Sequence, residues 1–302
     1  MKIVGKKIPH DSAIGHVTGE ALFVDDLPYS KNELIVDYIS SPFAYGKIKS
    51  INSDELGKLD GILGVFTCKD IPGNNLYGPV IKDERFLAEE IVEYVGQPIA
   101  VIAGESFKAV RHAKKKLRLI IEELTPTLTI DEAIKEKKFL GNSLQFKKGD
   151  FEKAWKGSDH KLEGTFVCNG QEQFYLESQS AIAWPGEQGE IMIHSSTQNT
   201  TEVQEVVAEA LGLSFHKVIC VCKRMGGAFG GKETQAVIPA VMAALVASKT
   251  NMPARIAYTK DDDMRSTGKR HPYKIHYKVS FSSKGKLRGL KFDIFSNGGA
   301  YL

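Results

Sequence analysis

Apolar residues in the first part of the chain fall in short runs of strand length. Leu34-Ile35-Val36-Asp37-Tyr38-Ile39 and Ile62-Leu63-Gly64-Val65-Phe66-Thr67 are rich in β-branched and aromatic residues and predict two strands. Gly96-Gln97-Pro98 turns into Ile99-Ala100-Val101-Ile102-Ala103, a continuous apolar run that predicts a buried strand. At Ser106 the period changes. Phe107, Val110, Ala113 and Leu117 predict a helix begun at that serine, which passes into the apolar stretch Leu117 to Ile121. From Thr125-Pro126 to about Asp150 the chain turns polar and lysine-rich, which predicts a linker carrying one short helix, Ile130 to Glu136.

A second part opens near Phe151. Lys161 to Val167, Gln179 to Trp184 and Glu190 to Ser195 predict three strands, the last running into Ser196-Thr197-Gln198-Asn199. There a helix is expected, with Asn199 as its cap and Glu202 returning a bond to that cap. Val203, Val206, Val207, Ala210 and Leu211 form its apolar stripe, and Gly212 stands at the C-terminal cap. Next come a strand from Val218 to Cys222, the run Arg224 to Lys232, and an apolar helix from about Thr234 to Ser248 with Pro239 in or near its first turns. Lys274 to Phe281 and Leu287 to Phe295 predict a hairpin around Ser282-Ser283-Lys284-Gly285. The last residues, Gly298-Gly299-Ala300-Tyr301-Leu302, read as a domain cut short.

Composition narrows the class of function. With 302 residues, 42% hydrophobic and 25% charged, the chain has the make-up of an ordinary globular protein of about two domains. A net charge of +3 gives no footprint for nucleic acid or a membrane surface. The densest basic run, Lys114-Lys115-Lys116 with Arg118, reads as a solvated helix face. No apolar stretch has membrane-spanning length, and Met1 to Gly5 leads directly into charged residues, so the expected compartment is the cytoplasm. Cys68, Cys168, Cys220 and Cys222 have neither disulfide-framework nor iron–sulfur spacing, and Cys220-Val221-Cys222 reads as a buried pair on one face of a strand.

Candidate chemistry centres on Gly226-Gly227-Ala228-Phe229-Gly230-Gly231-Lys232, between a predicted strand and a predicted helix. Glycines there let the backbone approach a ligand and expose N–H groups to an oxyanion. Gly226 and Gly231-Lys232 have Walker A spacing, but Glu233 replaces the serine or threonine that would hold Mg²⁺, and its carboxylate would repel nucleotide phosphates. A purely structural glycine turn stays open at this point. Gln198 changes the picture, since it ends the preceding strand. If the two strands are parallel neighbours, both turns open at one sheet edge, where a side-chain amide and bare peptide N–H groups form a neutral donor cluster for an oxygen ligand. Asp261-Asp262-Asp263 after Thr259 reads as a helix start, because three consecutive acids cannot all face one ion. The eight histidines have no zinc spacing, and structural roles are expected for His194 and His271.

Ser196-Thr197-Gln198-Asn199-Thr200, followed by Arg224-Met225-Gly226-Gly227-Ala228-Phe229-Gly230-Gly231-Lys232-Glu233, resembles the molybdopterin-binding signature of the xanthine dehydrogenase family. Gly15 to Ala21, Asp25 to Pro28, Gly96 to Val101, Gly170 to Glu177 and Gly268 to Pro272 extend the resemblance, in order, over nearly the whole chain. It implies an α+β fold: an α/β hammerhead domain at 1–124, a linker at 125–150, and at 151–302 the first part of a molybdopterin-binding domain of the aldehyde oxidase and xanthine dehydrogenase type.

The resemblance also implies chemistry. A molybdenum centre with oxo, sulfido and hydroxo ligands sits on a pyranopterin. Its hydroxide attacks an electron-poor carbon of hypoxanthine or xanthine, towards urate, while hydride passes to the sulfido ligand. A protein carboxylate takes the proton, and electrons leave through iron–sulfur clusters and FAD to NAD. Carried over, Gln198 and the Phe229 N–H contact an oxygen ligand of the metal, with Gly227, Ala228, Gly230 and Gly231 completing the cofactor loop. Glu233 contacts the purine and stabilises charge developing on its ring, at a position where related aldehyde oxidases typically carry an apolar residue. A helix-N-terminal acid is the plainer reading of Glu233, worth ~0.3–1 kcal/mol through the dipole.

Two departures stand out: Ala228 replaces a common glycine, which a negative φ would accommodate, and Gln173 replaces a common histidine. The family's proton-accepting glutamate, a second substrate-binding arginine and the aromatic pair that sandwiches the purine fall beyond Leu302. Iron–sulfur and FAD subunits or domains, and the remainder of the molybdenum subunit, are therefore the expected partners in an oligomeric complex, and the 302 residues alone are expected to be inactive. Two alternatives remain: a hydroxylase of aldehydes or other N-heterocycles, and a non-catalytic fragment that binds partners without a cofactor.

Overall fold

The computed structural model describes residues 3–302 and builds them on a seven-stranded sheet drawn from both parts of the sequence. Across the sheet the strands run Val218–Val221, Ile191–Ser195, Ser180–Pro185, Ala254–Ala257, Leu34–Ser40, Pro98–Gly104 and Ile62–Thr67. The first two are parallel to one another, as are Ala254–Ala257 and Leu34–Ser40; the other junctions are antiparallel. A parallel junction needs a crossover, and the helix Thr200–Leu211 supplies it between Ser195 and Val218.

Side chains alternate between the sheet's two faces, and each face has its own cover. Leu34, Val36 and Tyr38 join a core with Val203, Val207 and the helix Val237–Thr250, whose residues from Val237 to Ala247 are all buried. On the other face Ile35 and Ile102 meet Val110 and Ala113 of the helix Phe107–Lys115, which Ser106 caps as expected. Pro98–Gly104 lies between both layers and is buried along its whole length, which is why it reads as an unbroken apolar run. Smaller sheets flank this body. Tyr273–Phe281 and Leu287–Ser296 form the expected hairpin, and His160–Cys168 pairs with its first strand. The apolar stretch after Lys115 becomes the strand Leu119–Glu123 against Gly46–Ile51. Ile130–Glu136 is helical, with Thr129 and Glu132 exchanging bonds in a capping box. No helix among the described residues is long and apolar enough to cross a membrane.

The strand Ala254–Ala257 has no counterpart among the elements that the sequence predicts. Its sequence, Ala-Arg-Ile-Ala, places a guanidinium in the middle of the sheet, and Arg255 is buried there. The burial is tolerable because nearly every donor is met. Nε faces the buried Glu33 carboxylate, Nη2 donates to the Leu27 carbonyl at 2.8 Å and Nη1 to the Asp25 carbonyl at 3.2 Å. The Tyr29 ring lies 4.3 Å from the guanidinium carbon. Arg255 thereby pins the segment from Val24 to Glu33 onto the sheet. Replacing it with methionine strands the Glu33 charge, and the expected loss is ~3–5 kcal/mol of unfolding free energy in urea titration. A loss below about 1 kcal/mol would mean that the pair does not anchor this segment.

Candidate functional site

Because Ile191–Ser195 and Val218–Val221 run parallel and adjacent, the turns that follow them open at the same edge of the sheet. After the first strand, Ser196 and Thr197 are buried and Gln198 is exposed. Asn199 then caps the helix, its Oδ1 accepting the Glu202 N–H at 3.1 Å, and Gly212 ends it at φ +66°. The expected return bond takes another form. Glu202 accepts from the Asn199 side-chain amide at 3.1 Å, and the Asn199 N–H goes to Thr197 Oγ1 at 3.0 Å.

The glycine loop closes directly on Gln198. The Gln198 peptide N–H donates to the Lys232 carbonyl at 2.9 Å, and Gln198 Oε1 accepts the Gly230 N–H at 3.1 Å and the Lys232 N–H at 3.2 Å. An amide side chain has one accepting and one donating end, so two donors on its oxygen turn the Nε2 hydrogens outward. Beside them, the peptide N–H groups of Gly227, Ala228 and Phe229 have no hydrogen-bond partner among the described residues. Gly227 lies at φ +95°, Phe229 at +53° and Gly230 at +92°, whereas Ala228 is not among the positive-φ residues, so its Cβ costs the loop nothing. Phe229 is the strained member. A non-glycine residue in this region costs of order 1–3 kcal/mol, and its side chain, 76% exposed, buries little to offset it.

The helix beyond the loop begins at Val237, later than expected, and has no acid in its first turn. Two consequences follow. The free N–H groups belong to the loop itself, and Glu233 is not a helix-dipole residue. Glu233 is exposed, and its charge adds to burial in raising the pKa of Glu202.

Several residues that hold this arrangement escaped sequence reasoning. Lys232 is fully buried, with Nζ 3.1 Å from Glu177 Oε2, 2.7 Å from Ser196 Oγ and 4.6 Å from the centre of the Tyr175 ring. Burial pulls its pKa down, and the Glu177 carboxylate pulls it back up. Gln179, also fully buried, donates to the Gly231 carbonyl at 2.9 Å, and its N–H donates to the buried carboxylate of Asp263 at 2.8 Å. Asp263 further accepts from the Tyr175 hydroxyl at 2.6 Å, which gives the third residue of the acidic run an internal task. Glu177 and Lys232 lie inside matched motifs, but nothing local marks them as partners 55 positions apart.

The segments Gly170–Gln173 and Gly268–Pro272 meet through paired Gln171 and Arg270 backbone bonds of 3.1 Å each. They wall a cavity of about 770 Å³ that reaches Gly230, Gly231, Gln235 and Glu84; Gln198, Phe229 and Glu233 are not in its wall. Burial pushes the Glu84 carboxyl up to about 7. His271 lines the same cavity, while His194 packs edge-on against Trp184, a structural place. Cys220 is half-buried against the main core and Cys222 lies past the end of its strand, so they are not the fully buried pair that alternation suggested. No cluster of three or more histidine, cysteine or acidic side chains placed for a metal occurs among the described residues.

Comparison with known proteins gives two family matches. Residues 133–302 match the molybdopterin cofactor-binding domain, and residues 18–125 match the aldehyde oxidase and xanthine dehydrogenase a/b hammerhead domain. A xanthine dehydrogenase/oxidase of Gallus gallus is 40% identical over 297 residues, 98% of this chain and 22% of the relative. Aldehyde oxidase 4 of Cavia porcellus is 37% identical over 298 residues, again 98% of this chain and 22% of the relative. The chain thus spans about a fifth of the length of these curated relatives. Among solved structures, the aldehyde oxidoreductase of Desulfovibrio gigas superposes with a TM-score of 0.84 over 97% of this chain and 34% of that one, at 24% identity. That likeness bears on the fold.

Glu84 yields a pH test. Its pKa lies above the unfolded value of 4.5, so the stability lent by the neutral carboxyl is full below that pH and is lost as pH rises through about 7. Glu84→Gln should flatten the fall in unfolding free energy between pH 5 and 8, removing roughly 2–3 kcal/mol of it. Superimposable pH profiles for variant and parent would place the Glu84 carboxyl in water.

Proposed function

Since the chain belongs to the aldehyde oxidase and xanthine dehydrogenase family, carrying its hammerhead and molybdopterin cofactor-binding domains, we propose that it is the cofactor-holding part of a molybdenum hydroxylase acting on purines. One observation carries the reading. The outward-facing Nε2 of Gln198 and the unpartnered N–H of Phe229 sit on adjoining turns joined through Gly230 and Lys232. Neutral donors of this kind suit an oxygen atom that carries partial negative charge and must change its charge during reaction. A Mo-molybdopterin group fits the donor set, and when bound it supplies the oxygen transfer and the first acceptance of electrons.

The chain's own residues do the remaining work. Gln198 and Phe229 orient the oxygen ligand, and Gly227, Ala228, Gly230 and Gly231 let the backbone come close to it. Glu233, solvent-accessible at the end of the loop, receives the substrate and stabilises charge that develops on a purine ring. Iron–sulfur clusters and FAD, and the rest of the molybdenum subunit with its proton-accepting carboxylate, are assigned to partner subunits or domains, with NAD as final acceptor. The isolated 302 residues then have no hydroxylase activity.

A second reading, oxidation of aldehydes, has support in the 37% identity to an aldehyde oxidase beside 40% to a xanthine dehydrogenase. Glu233 separates the two. In the complete enzyme, Glu233→Ala should lower kcat/KM for hypoxanthine by about 100-fold or more and change that for a simple aldehyde by less than about threefold. Equal losses would remove the substrate role of Glu233. Metal analysis of the same preparation should find stoichiometric molybdenum, and a metal-free preparation would favour a fragment that only binds partners.

A further inference from the structure

Loop residues Gly226 and Lys232 converge on a single oxygen atom. Glu177 Oε2 accepts the Gly226 N–H at 2.7 Å, the Ser196 hydroxyl at 2.7 Å and the Lys232 ammonium at 3.1 Å. Ser196 Oγ accepts in turn from Lys232 Nζ at 2.7 Å, so the hydroxyl both donates and accepts. The two ends of the loop are therefore fixed on one carboxylate. Lys232 is tied a second time through its backbone, donating its N–H to Gln198 Oε1 and accepting on its carbonyl from the Gln198 N–H and Thr197 Oγ1. Close approach makes the closure tight. A Cβ on Gly226 would stand 2.5 Å from Glu177 Cβ, and one on Gly231 would stand 2.7 Å from the Tyr175 ring.

Burying an ammonium and a carboxylate is costly, and an apolar pair of the same volume would fill the space at less cost. What charge adds is direction: three ammonium donors and one carboxylate oxygen set the span across which the intervening residues must fit. That fixed span explains how Phe229, with little side-chain burial, is held at φ +53°. We propose that the ion pair of buried Lys232 with part-buried Glu177 is the positioning device of the cofactor loop, closing residues 226–232 so that the Phe229 N–H and the Gln198 amide face the same ligand atom. The pair acts through the loop and touches no ligand itself. Its purpose rests on the reading given above, but its geometry can be tested without a cofactor.

The test is amide hydrogen exchange on the full 302-residue chain, unliganded, in Glu177→Gln, Lys232→Met and the double variant. Exchange at Gly226, Gly230 and Lys232 should quicken by about tenfold or more in each single variant, while Ile182 and Ile193 in the main sheet keep their protection. In the double variant, which leaves no lone buried charge, the sheet should keep its protection and the loop should still exchange fast. Unchanged loop exchange in the single variants would overturn the proposal. So would loss of protection in loop and sheet together, since that is what a merely structural pair produces. If Lys232→Met does not fold, the near-isosteric Glu177→Gln decides alone. Molybdenum content of the assembled parent enzyme is a separate readout: its absence would sink the cofactor reading and leave the exchange result standing.

Discussion

Gln198 binds the glycine loop through its backbone N–H and its side-chain oxygen at once, and the rest of the site depends on that double contact. The oxygen is occupied by the N–H groups of Gly230 and Lys232, so the amide cannot rotate without leaving two donors unmet. Orientation of the outward donors is then a property of the resting fold rather than of a bound ligand. Such preorganisation is worth most at a site where charge changes during reaction, because no reorganisation is needed at that moment. The contact itself exists because two parallel strands are neighbours and end at the same level.

Internal charge recurs where segments distant in sequence must be joined. Arg255 draws the stretch from Val24 to Glu33 onto the centre of the sheet, and Lys232 joins the glycine loop to Glu177 and Ser196. Asp263 ties the turn before Gln179 to the helix Lys260–Ser266. Each is a polar group in a place that hydrophobic patterning would assign to a hydrocarbon. Each replaces non-directional packing with bonds of fixed geometry, at a desolvation cost that full pairing offsets only in part.

Elements governed by local rules were legible before the structure. The helix after Asn199 carries its own cap, stripe and terminal glycine, and the hairpin from Tyr273 carries its own turn. Pro98–Gly104 was legible because burial on both faces leaves an unbroken apolar run. Ala254–Ala257 was not, since a short run with arginine inside it has no strand signature, and the carboxylate that meets that arginine, Glu33, is far away in sequence. The site divides in the same way. Gln198 and the loop glycines announce themselves by residue type at the ends of strands, and the parallel pairing that brings them together was a condition the structure met. Glu177 and Gln179 look like ordinary polar residues beside a strand until the fold sets them against the loop. Glu233 reads as an acid at a helix start, but the helix begins only at Val237, with Pro239 in its first turn as expected.

The most direct measurement is a through-hydrogen-bond scalar coupling, by triple-resonance NMR on the isotopically labelled chain. Cross-peaks are expected from the backbone nitrogens of Gly230 and Lys232 to the side-chain carbonyl carbon of Gln198. Failure to detect either one, in a spectrum where couplings between Ile191–Ser195 and Val218–Val221 are resolved, would contradict the contact on which the site is built.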